Sequence, residues 1–71
     1  SCTLADFTSL TEHLLKPSGV WLAMKGGVPE EEMAALPDFV RVREILPMTV
    51  PGLHESRHLI VMGRNERCGL S

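Results

Sequence analysis

The sequence predicts an α/β fold in which two helices alternate with two strands and a third strand follows. Residues 3 to 46 show four patterns in order: a helix, a strand, a second helix start and a second strand. This order is that of half a doubly wound sheet, with a right-handed crossover between two parallel strands. The last strand pattern begins about ten residues after the second, which is too short for a helical crossover. We therefore expect the last strand to run antiparallel.

The first helix is predicted from about Thr3 to Leu15. Thr3 is a suitable N-cap, and Lys16 to Gly19 provide a helix breaker and a turn. Its expected core face carries four apolar residues at helical spacing, namely Leu4, Phe7, Leu10 and Leu14.

The second helix is predicted to begin at Pro29 and to end near Leu36. Proline suits an early helical position, and the carboxylates of Glu30 to Glu32 are favoured by the helix dipole. Consecutive residues diverge by about 100° around a helix, so only one of the three carboxylates could face a site. We therefore interpret the run as a helix start rather than as an acid/base pair.

Three segments carry strand patterns. Val20 to Lys25 is apolar on both faces until its last residue, which is typical of a strand that is covered on both sides and does not lie at a sheet edge. The segment Phe39 to Leu46 alternates from Val40 to Ile45, with Val40, Val42 and Glu44 on one face and Arg41, Arg43 and Ile45 on the other. An irregular connection is predicted from Pro47 to Gly52, and a largely buried last strand from Arg57 to Gly63. A polar tail, Arg64 to Ser71, is expected to be frayed.

The composition is that of a folded protein of at most one small domain. The 71 residues are 44% hydrophobic and 23% charged, which argues against disorder and fibrous repeats. The aromatic residues Phe7, Trp21 and Phe39 are too few for a platform that stacks single-stranded nucleic acid. Seven Lys and Arg against nine Asp and Glu give a net charge of −2, so any contact with nucleic acid or an anionic membrane has to be local.

The cysteines and the apolar runs predict a soluble cytoplasmic protein. Cys2 and Cys68 have none of the spacings of zinc sites or disulfide scaffolds and are interpreted as free thiols, with a disulfide between them as the minor alternative. The longest apolar run, Gly19 to Met24, is too short to span a membrane, and the N-terminus lacks a signal-peptide pattern. Because the chain begins with Ser1 at a helix start, we expect it to be separated from a longer protein.

Five segments resemble, in order and spacing, the C-terminal part of the RsmG (GidB) family of class I methyltransferases. They are Leu4-Ala5-Asp6-Phe7, Trp21-Leu22-Ala23-Met24-Lys25-Gly26, Pro29-Glu30-Glu31-Glu32, Thr49-Val50-Pro51-Gly52-Leu53 and Arg57-His58-Leu59-Ile60-Val61. The resemblance covers nearly the whole chain up to Met62. It implies the C-terminal half of a Rossmann-like methyltransferase sheet over residues 1–64, with the antiparallel last strand beside the family's fifth strand, and a polar tail over residues 65–71.

The resemblance implies part of an enzyme that methylates N7 of a guanine in 16S ribosomal RNA. The family binds S-adenosylmethionine in its N-terminal half, which this chain is expected to lack, so the chain alone is expected to be inactive. The implied partners are 16S ribosomal RNA or the small ribosomal subunit, and the missing half or a second copy that covers the open sheet edge; no membrane partner is expected. The alternative is an independent α/β module that binds or dimerises through its sheet edge without catalysis.

Lys25 and Arg57 are the candidate RNA-binding residues. Lys25 ends the first strand and Arg57 begins the last, so in antiparallel strands both are expected at the sheet edge where open α/β sheets bind ligands. Their side chains are expected to reach a common cleft in the full enzyme. Both match basic positions of the family, although either could be a solvated charge at a strand end. Methylation at guanine N7 needs no general base, because N7 carries an exposed lone pair, and no catalytic residue is assigned. Arg and Lys can donate to guanine O6 or to phosphates once the base is splayed out of the RNA.

The residues around Arg57 are assigned supporting roles. His58 is expected on the opposite face of its strand, as a neutral histidine bonded to a backbone carbonyl. The family has an acidic residue directly before the Arg-His pair, where this chain has Ser56. Glu55 lies one residue away from that position, so the sequence leaves open whether an ion pair orients Arg57.

The remaining candidates are interpreted as structural. The Gly26-Gly27 pair lacks the spacing and the long following helix of a cofactor loop and is expected to form a turn. No metal is assigned, because His13 and His54 have no Cys, Asp or Glu at ligand spacing. Four soft apolar residues are expected in the core, namely Trp21, Met24, Met33 and Met62.

Overall fold

The computed structural model describes residues 2–52 and 55–65. Its elements in chain order are helix α1 (Leu4–Thr11) with a following 3₁₀ turn (Glu12–Leu14), strand β1 (Val20–Lys25), helix α2 (Glu30–Ala34), strand β2 (Val40–Val50) and strand β3 (Glu55–Arg64). The order predicted from the sequence is therefore confirmed. The predictions for His54, Cys68 and the tail from residue 66 onwards lie outside the described residues.

Strand β3 is the central strand of a three-stranded sheet in the order β1-β3-β2. It runs antiparallel to both neighbours, with Val20 opposite Gly63 on one side and Val40 opposite Arg64 on the other. The prediction of an antiparallel last strand is confirmed, and β1 and β2 run in the same direction without being neighbours. This small α/β fold is compatible with part of a methyltransferase domain.

A bulge changes the predicted alternation of β2. The register with β3 shifts between Val42 and Glu44, so Arg43 has no place in the regular pairing. Ile45 lies opposite Ile60, on the face of Val42, whereas the alternation had placed it with Arg43. The predicted faces were therefore wrong from Glu44 onwards, because one extra residue reverses every later side chain.

The hairpin of β2 and β3 replaces the irregular connection predicted from Pro47. Strand β2 continues to Val50, which pairs with Glu55. Pro47 is tolerated because β2 is an edge strand, where one side of the backbone needs no partner. Gly52 lies in the turn with a φ of 88°, a left-handed conformation that favours glycine.

Both helices pack on one face of the sheet and enclose a small core. Its buried residues are Leu4, Thr8, Trp21, Val40, Ile60 and Met62. The Trp21 ring packs 6.3 Å from the ring of Phe39, and its Nε1 donates a hydrogen bond of 2.9 Å to Thr11 Oγ1. Trp21 and Met62 are thus core residues as predicted, and Met33 packs against the core while partly buried. Met24 is 53% exposed, so its assignment to the core was wrong.

Strand β1 is covered on one face only, contrary to the prediction. Trp21 and Ala23 face the helices, whereas Val20, Leu22 and Met24 on the other face are between 38% and 55% exposed. The strand pairs with β3 along one side and is an edge strand in the described sheet. Its two-sided apolar pattern exceeds what the two helices among the described residues bury.

The core face of α1 differs from the predicted stripe. Leu4 is buried and Phe7 is half-buried, but Leu10 and Leu14 are 68% and 73% exposed. The inner face instead includes Thr8, which is fully buried with its hydroxyl donating to the Leu4 carbonyl at 2.9 Å. Such bonds satisfy a threonine within its own helix, so it can pack in a core that an apolar pattern does not reveal.

Arg64 belongs to the folded sheet and not to a frayed tail. Its guanidinium donates to Glu12 Oε2 at 3.1 Å and to the carbonyls of Glu12 and Leu15 at 2.9 Å. These carbonyls lie where the first helical segment ends, so Arg64 caps that end and ties it to β3. The backbone N–H of the next residue, Asn65, donates to the Phe39 carbonyl at 2.8 Å.

Candidate nucleic-acid interface

Lys25 and Arg57 lie at the same end of the sheet, as the sequence predicted. Lys25 is opposite His58 in the pairing of β1 with β3, and Arg57 is the next residue of β3. Arg57 itself lies opposite Met48 of β2. Because neighbouring residues of a strand point to opposite faces, Lys25 is on the helix face and Arg57 on the open face. The described residues therefore bring both cations to one end of the sheet but do not bring them into one cleft.

Lys25 is held by a carboxylate of α2. Its Nζ lies 3.0 Å from Glu32 Oε1, and the two side chains are 25% and 31% exposed. The same oxygen accepts a hydrogen bond of 2.9 Å from the backbone N–H of Leu4, in the first turn of α1. Glu32 thus joins three elements, since α1, α2 and the end of β1 meet at one oxygen atom.

These contacts lower the pKa of Glu32. The Lys25 ammonium donates a hydrogen bond to the charged carboxylate, and the Leu4 N–H donates a second, and both hold the pKa below its ordinary value of 4.5. Partial burial acts in the opposite direction and is outweighed. Glu32 is therefore ionised at neutral pH, and Lys25 faces a negative charge. The sequence had indicated that only one of the three glutamates could face a site, but nothing local identified which.

Arg57 has its own carboxylate partner. Its Nη2 lies 2.6 Å from Glu55 Oε1, and its Nη1 donates to the Ser56 carbonyl at 3.2 Å. Residues two apart in a strand share a face, so Glu55 can orient Arg57 although position 56 is a serine. The question that the sequence left open is thereby answered. The Arg57 side chain remains 42% exposed, which leaves part of its guanidinium open to a ligand.

The backbone contact predicted for His58 is present. Its Nδ1 lies 3.2 Å from the Gly26 carbonyl oxygen, so in the neutral tautomer that carries a proton on Nδ1 it donates to this oxygen. It is on the opposite face of β3 from Arg57, as expected from alternation. The contact ties the turn after β1 to the first part of β3.

The Gly26-Gly27 turn does not have the form of a cofactor loop. Neither glycine adopts a positive φ, and a Cβ at either position would meet no described protein atom within 4 Å, so neither glycine is required by the backbone conformation or by local packing. The helix that follows has only five residues and begins with three carboxylates, which disfavour an anionic group at that end. The turn therefore lacks the features of a glycine-rich phosphate or cofactor loop.

The other polar candidates are dispersed. In the described part of the chain, no three His, Cys, Asp or Glu residues lie close enough together to hold a metal ion. His13 is exposed, and Cys2 is an exposed free thiol. None of the helices in residues 2–52 and 55–65 is long and apolar enough to cross a membrane.

Comparisons with known proteins identify similar sequences over most of the chain. The family model described as GidB, rRNA small subunit methyltransferase G, matches residues 2–60. The protein named ribosomal RNA small subunit methyltransferase G from Aromatoleum aromaticum is 56% identical over 62 residues, which are 87% of this chain and 29% of that protein. The proteins of the same name from Methylibium petroleiphilum and Neisseria meningitidis serogroup B are 53% and 48% identical, over 87% and 86% of this chain. They are covered over 28% and 30% of their own lengths, so the chain spans less than a third of these relatives.

Proposed function

The chain belongs to the GidB family of rRNA small subunit methyltransferases, and we propose that it forms the C-terminal part of an enzyme that methylates N7 of a guanine in 16S ribosomal RNA. S-adenosylmethionine is the proposed methyl donor, held by a part of the protein outside these residues. The proposed place of action is the cytoplasm, on the ribosomal RNA or the small subunit. The alternative of an independent binding or dimerisation module is not favoured, because the family match covers most of the chain.

The proposed task of this part is to bind and orient the RNA. The observation that supports it is the register that pairs Lys25 with His58 and so brings Arg57 to the carboxyl end of β1. Ligands of open α/β sheets bind at that end of the parallel strands. Guanine N7 needs alignment rather than deprotonation, so donors to guanine O6 and to phosphate oxygens are the groups required.

Lys25 and Arg57 are assigned different parts of this contact. Their side chains leave the sheet on opposite faces, so they would contact atoms on two sides of the sheet end, with Lys25 beside α2 and Arg57 near the turn of the β2–β3 hairpin. Each cation has one carboxylate neighbour, Glu32 or Glu55. Since a lysine has three donors and an arginine five, both keep donors for RNA oxygen atoms.

A chimera tests the proposal. The 62 matched residues of the Aromatoleum aromaticum relative would be replaced by the corresponding residues of this chain. The chimera is then incubated with S-adenosylmethionine and small subunits from a strain that lacks the enzyme, and 7-methylguanosine is measured by mass spectrometry of digested RNA. We expect 7-methylguanosine to form at one guanine of 16S RNA. A chimera that binds S-adenosylmethionine but forms none, or methylates another atom, would contradict the proposal.

A further inference from the structure

Glu32 differs from its two acidic neighbours in α2. Glu30 and Glu31 are exposed, whereas Glu32 is half-buried and accepts both the Lys25 ammonium, at 3.0 Å, and the Leu4 N–H, at 2.9 Å. The second donor is a backbone group in the first turn of α1, where N–H groups have no partner within the helix. The oxygen that holds Lys25 is therefore fixed to the backbone of another element.

This arrangement restricts a side chain that is otherwise mobile. A lysine carries its charge on a flexible four-carbon stem, and an unpaired ammonium at a strand end would sample many positions. The contact with Glu32 uses one of its three donors and leaves two. The ammonium is thus held at the sheet end in a defined place while it can still donate to oxygen atoms of a ligand.

We infer that Glu32 is a positioning residue, which holds the Lys25 ammonium in place for its contact with an RNA oxygen. The inference rests on the proposed function, because it requires that Lys25 contacts RNA. In this inference Glu32 acts through Lys25 and not on the RNA phosphates, because a carboxylate repels phosphates and its Oε1 is already shared by two donors. The competing role is that Glu32 only caps α1, with Lys25 as a bystander.

Four variants of the chimera separate these two roles. Glu32→Gln keeps an oxygen that can accept the Leu4 N–H but removes the charge that holds the ammonium. Lys25→Met removes the ammonium and keeps the length of the stem, and the double variant carries both changes. Glu31→Gln is the matched control, because it makes the same change at the exposed neighbour. For each variant, kcat/KM for small subunits, the affinity for S-adenosylmethionine and the unfolding temperature are measured.

We expect Lys25→Met to lower kcat/KM about tenfold or more, as for a lost charged hydrogen bond, and Glu32→Gln to lower it about three- to tenfold. The kcat/KM of the double variant should be no lower than that of Lys25→Met, because Glu32 acts through Lys25. Glu31→Gln should stay within about twofold, and all variants should bind S-adenosylmethionine normally.

Two results would overturn the inference alone. One is that Lys25→Met lowers kcat/KM for small subunits while Glu32→Gln leaves it unchanged. The other is that Glu32→Gln lowers kcat/KM in the Lys25→Met variant as well and also lowers the unfolding temperature. This is the result expected if Glu32 only caps α1. An unchanged kcat/KM in Lys25→Met would instead refute the proposed RNA contact of Lys25, on which the inference depends.

Discussion

The open face of the sheet predicts that the 71-residue chain does not exist as a stable isolated monomer. Leu22 and Met24 of the edge strand β1 are 55% and 53% exposed, and Leu46 and Met48 of β2 continue the same face at 39% and 43%. One side of β1 also presents unpaired backbone groups in the described sheet. We expect the chain to associate with itself through this face and edge, in a manner that depends on concentration.

Leu22→Lys is the perturbation that isolates this surface. Full burial of a leucine contributes about 1.5–3 kcal/mol, so covering the exposed half of Leu22 contributes about 1 kcal/mol. An ammonium in the contact adds a desolvation cost of about 1 kcal/mol or more. Together these amount to about 2 kcal/mol, or roughly a thirtyfold weaker association constant. Ser9→Lys adds the same charge at an exposed polar position of α1 and should leave association unchanged.

Sedimentation velocity at several concentrations, with thermal unfolding of the same samples, measures the effect. We expect the unaltered chain and Ser9→Lys to sediment as larger species at higher concentration and Leu22→Lys to remain smaller. A monomeric unaltered chain with a sharp unfolding transition at the same temperature at every concentration would refute the reasoning. It would also count against the view that the chain is part of a larger domain.

Three further predictions follow from the described contacts. The isolated chain should bind no S-adenosylmethionine in calorimetry, because no cofactor loop is formed by the described residues, and micromolar binding would contradict this. In the chimera, Ile60→Ala, at a fully buried position, should lower the free energy of unfolding by about 2–5 kcal/mol. Thr8→Val should change it by less than about 1 kcal/mol, because its carbonyl partners keep their helix bonds. Urea unfolding of the chimera and its two variants, with a change in Thr8→Val as large as that in Ile60→Ala as the contradicting result, compares them. Because the pKa of Glu32 is lowered in the folded state, its contribution to stability should be full above pH 4.5 and should be lost as the pH falls below that value. The unfolding temperature of Glu32→Gln should therefore fall less steeply below pH 4.5 than that of the unaltered protein. If the two plots of unfolding temperature against pH are parallel, this linkage is excluded.

The sequence allowed prediction of those features that depend on local patterns and chain length. The short connection before β3 required an antiparallel strand, and this placed Lys25 and Arg57 at the same end of the sheet. Strand alternation correctly placed His58 on the opposite face of β3 from Arg57, and its expected backbone partner is the Gly26 carbonyl oxygen. These conclusions needed no knowledge of side-chain packing.

Features that depend on tertiary packing could not be predicted. The bulge at Arg43 has no glycine or proline beside it, so nothing in the local sequence shows where the β2 alternation reverses. The inner face of α1 includes Thr8, which satisfies its hydroxyl within its own helix, so the apolar stripe was right at Leu4 and Phe7 but wrong at Leu10 and Leu14. The pairing of Lys25 with Glu32 joins residues from different elements, and only the packed structure brings them together.

The rate of guanine N7 methylation by Arg57→Ala in the chimera tests the central claim most directly. Arg41→Ala is the control, because Arg41 is an exposed arginine opposite Gly63, at the other end of the sheet. If this segment supplies an RNA contact through Arg57, kcat/KM for small subunits should fall about tenfold or more in Arg57→Ala and stay within about twofold in Arg41→Ala, with S-adenosylmethionine affinity unchanged in both. Equal rates for Arg57→Ala and the unaltered chimera, or equal losses in the two variants, would contradict the account.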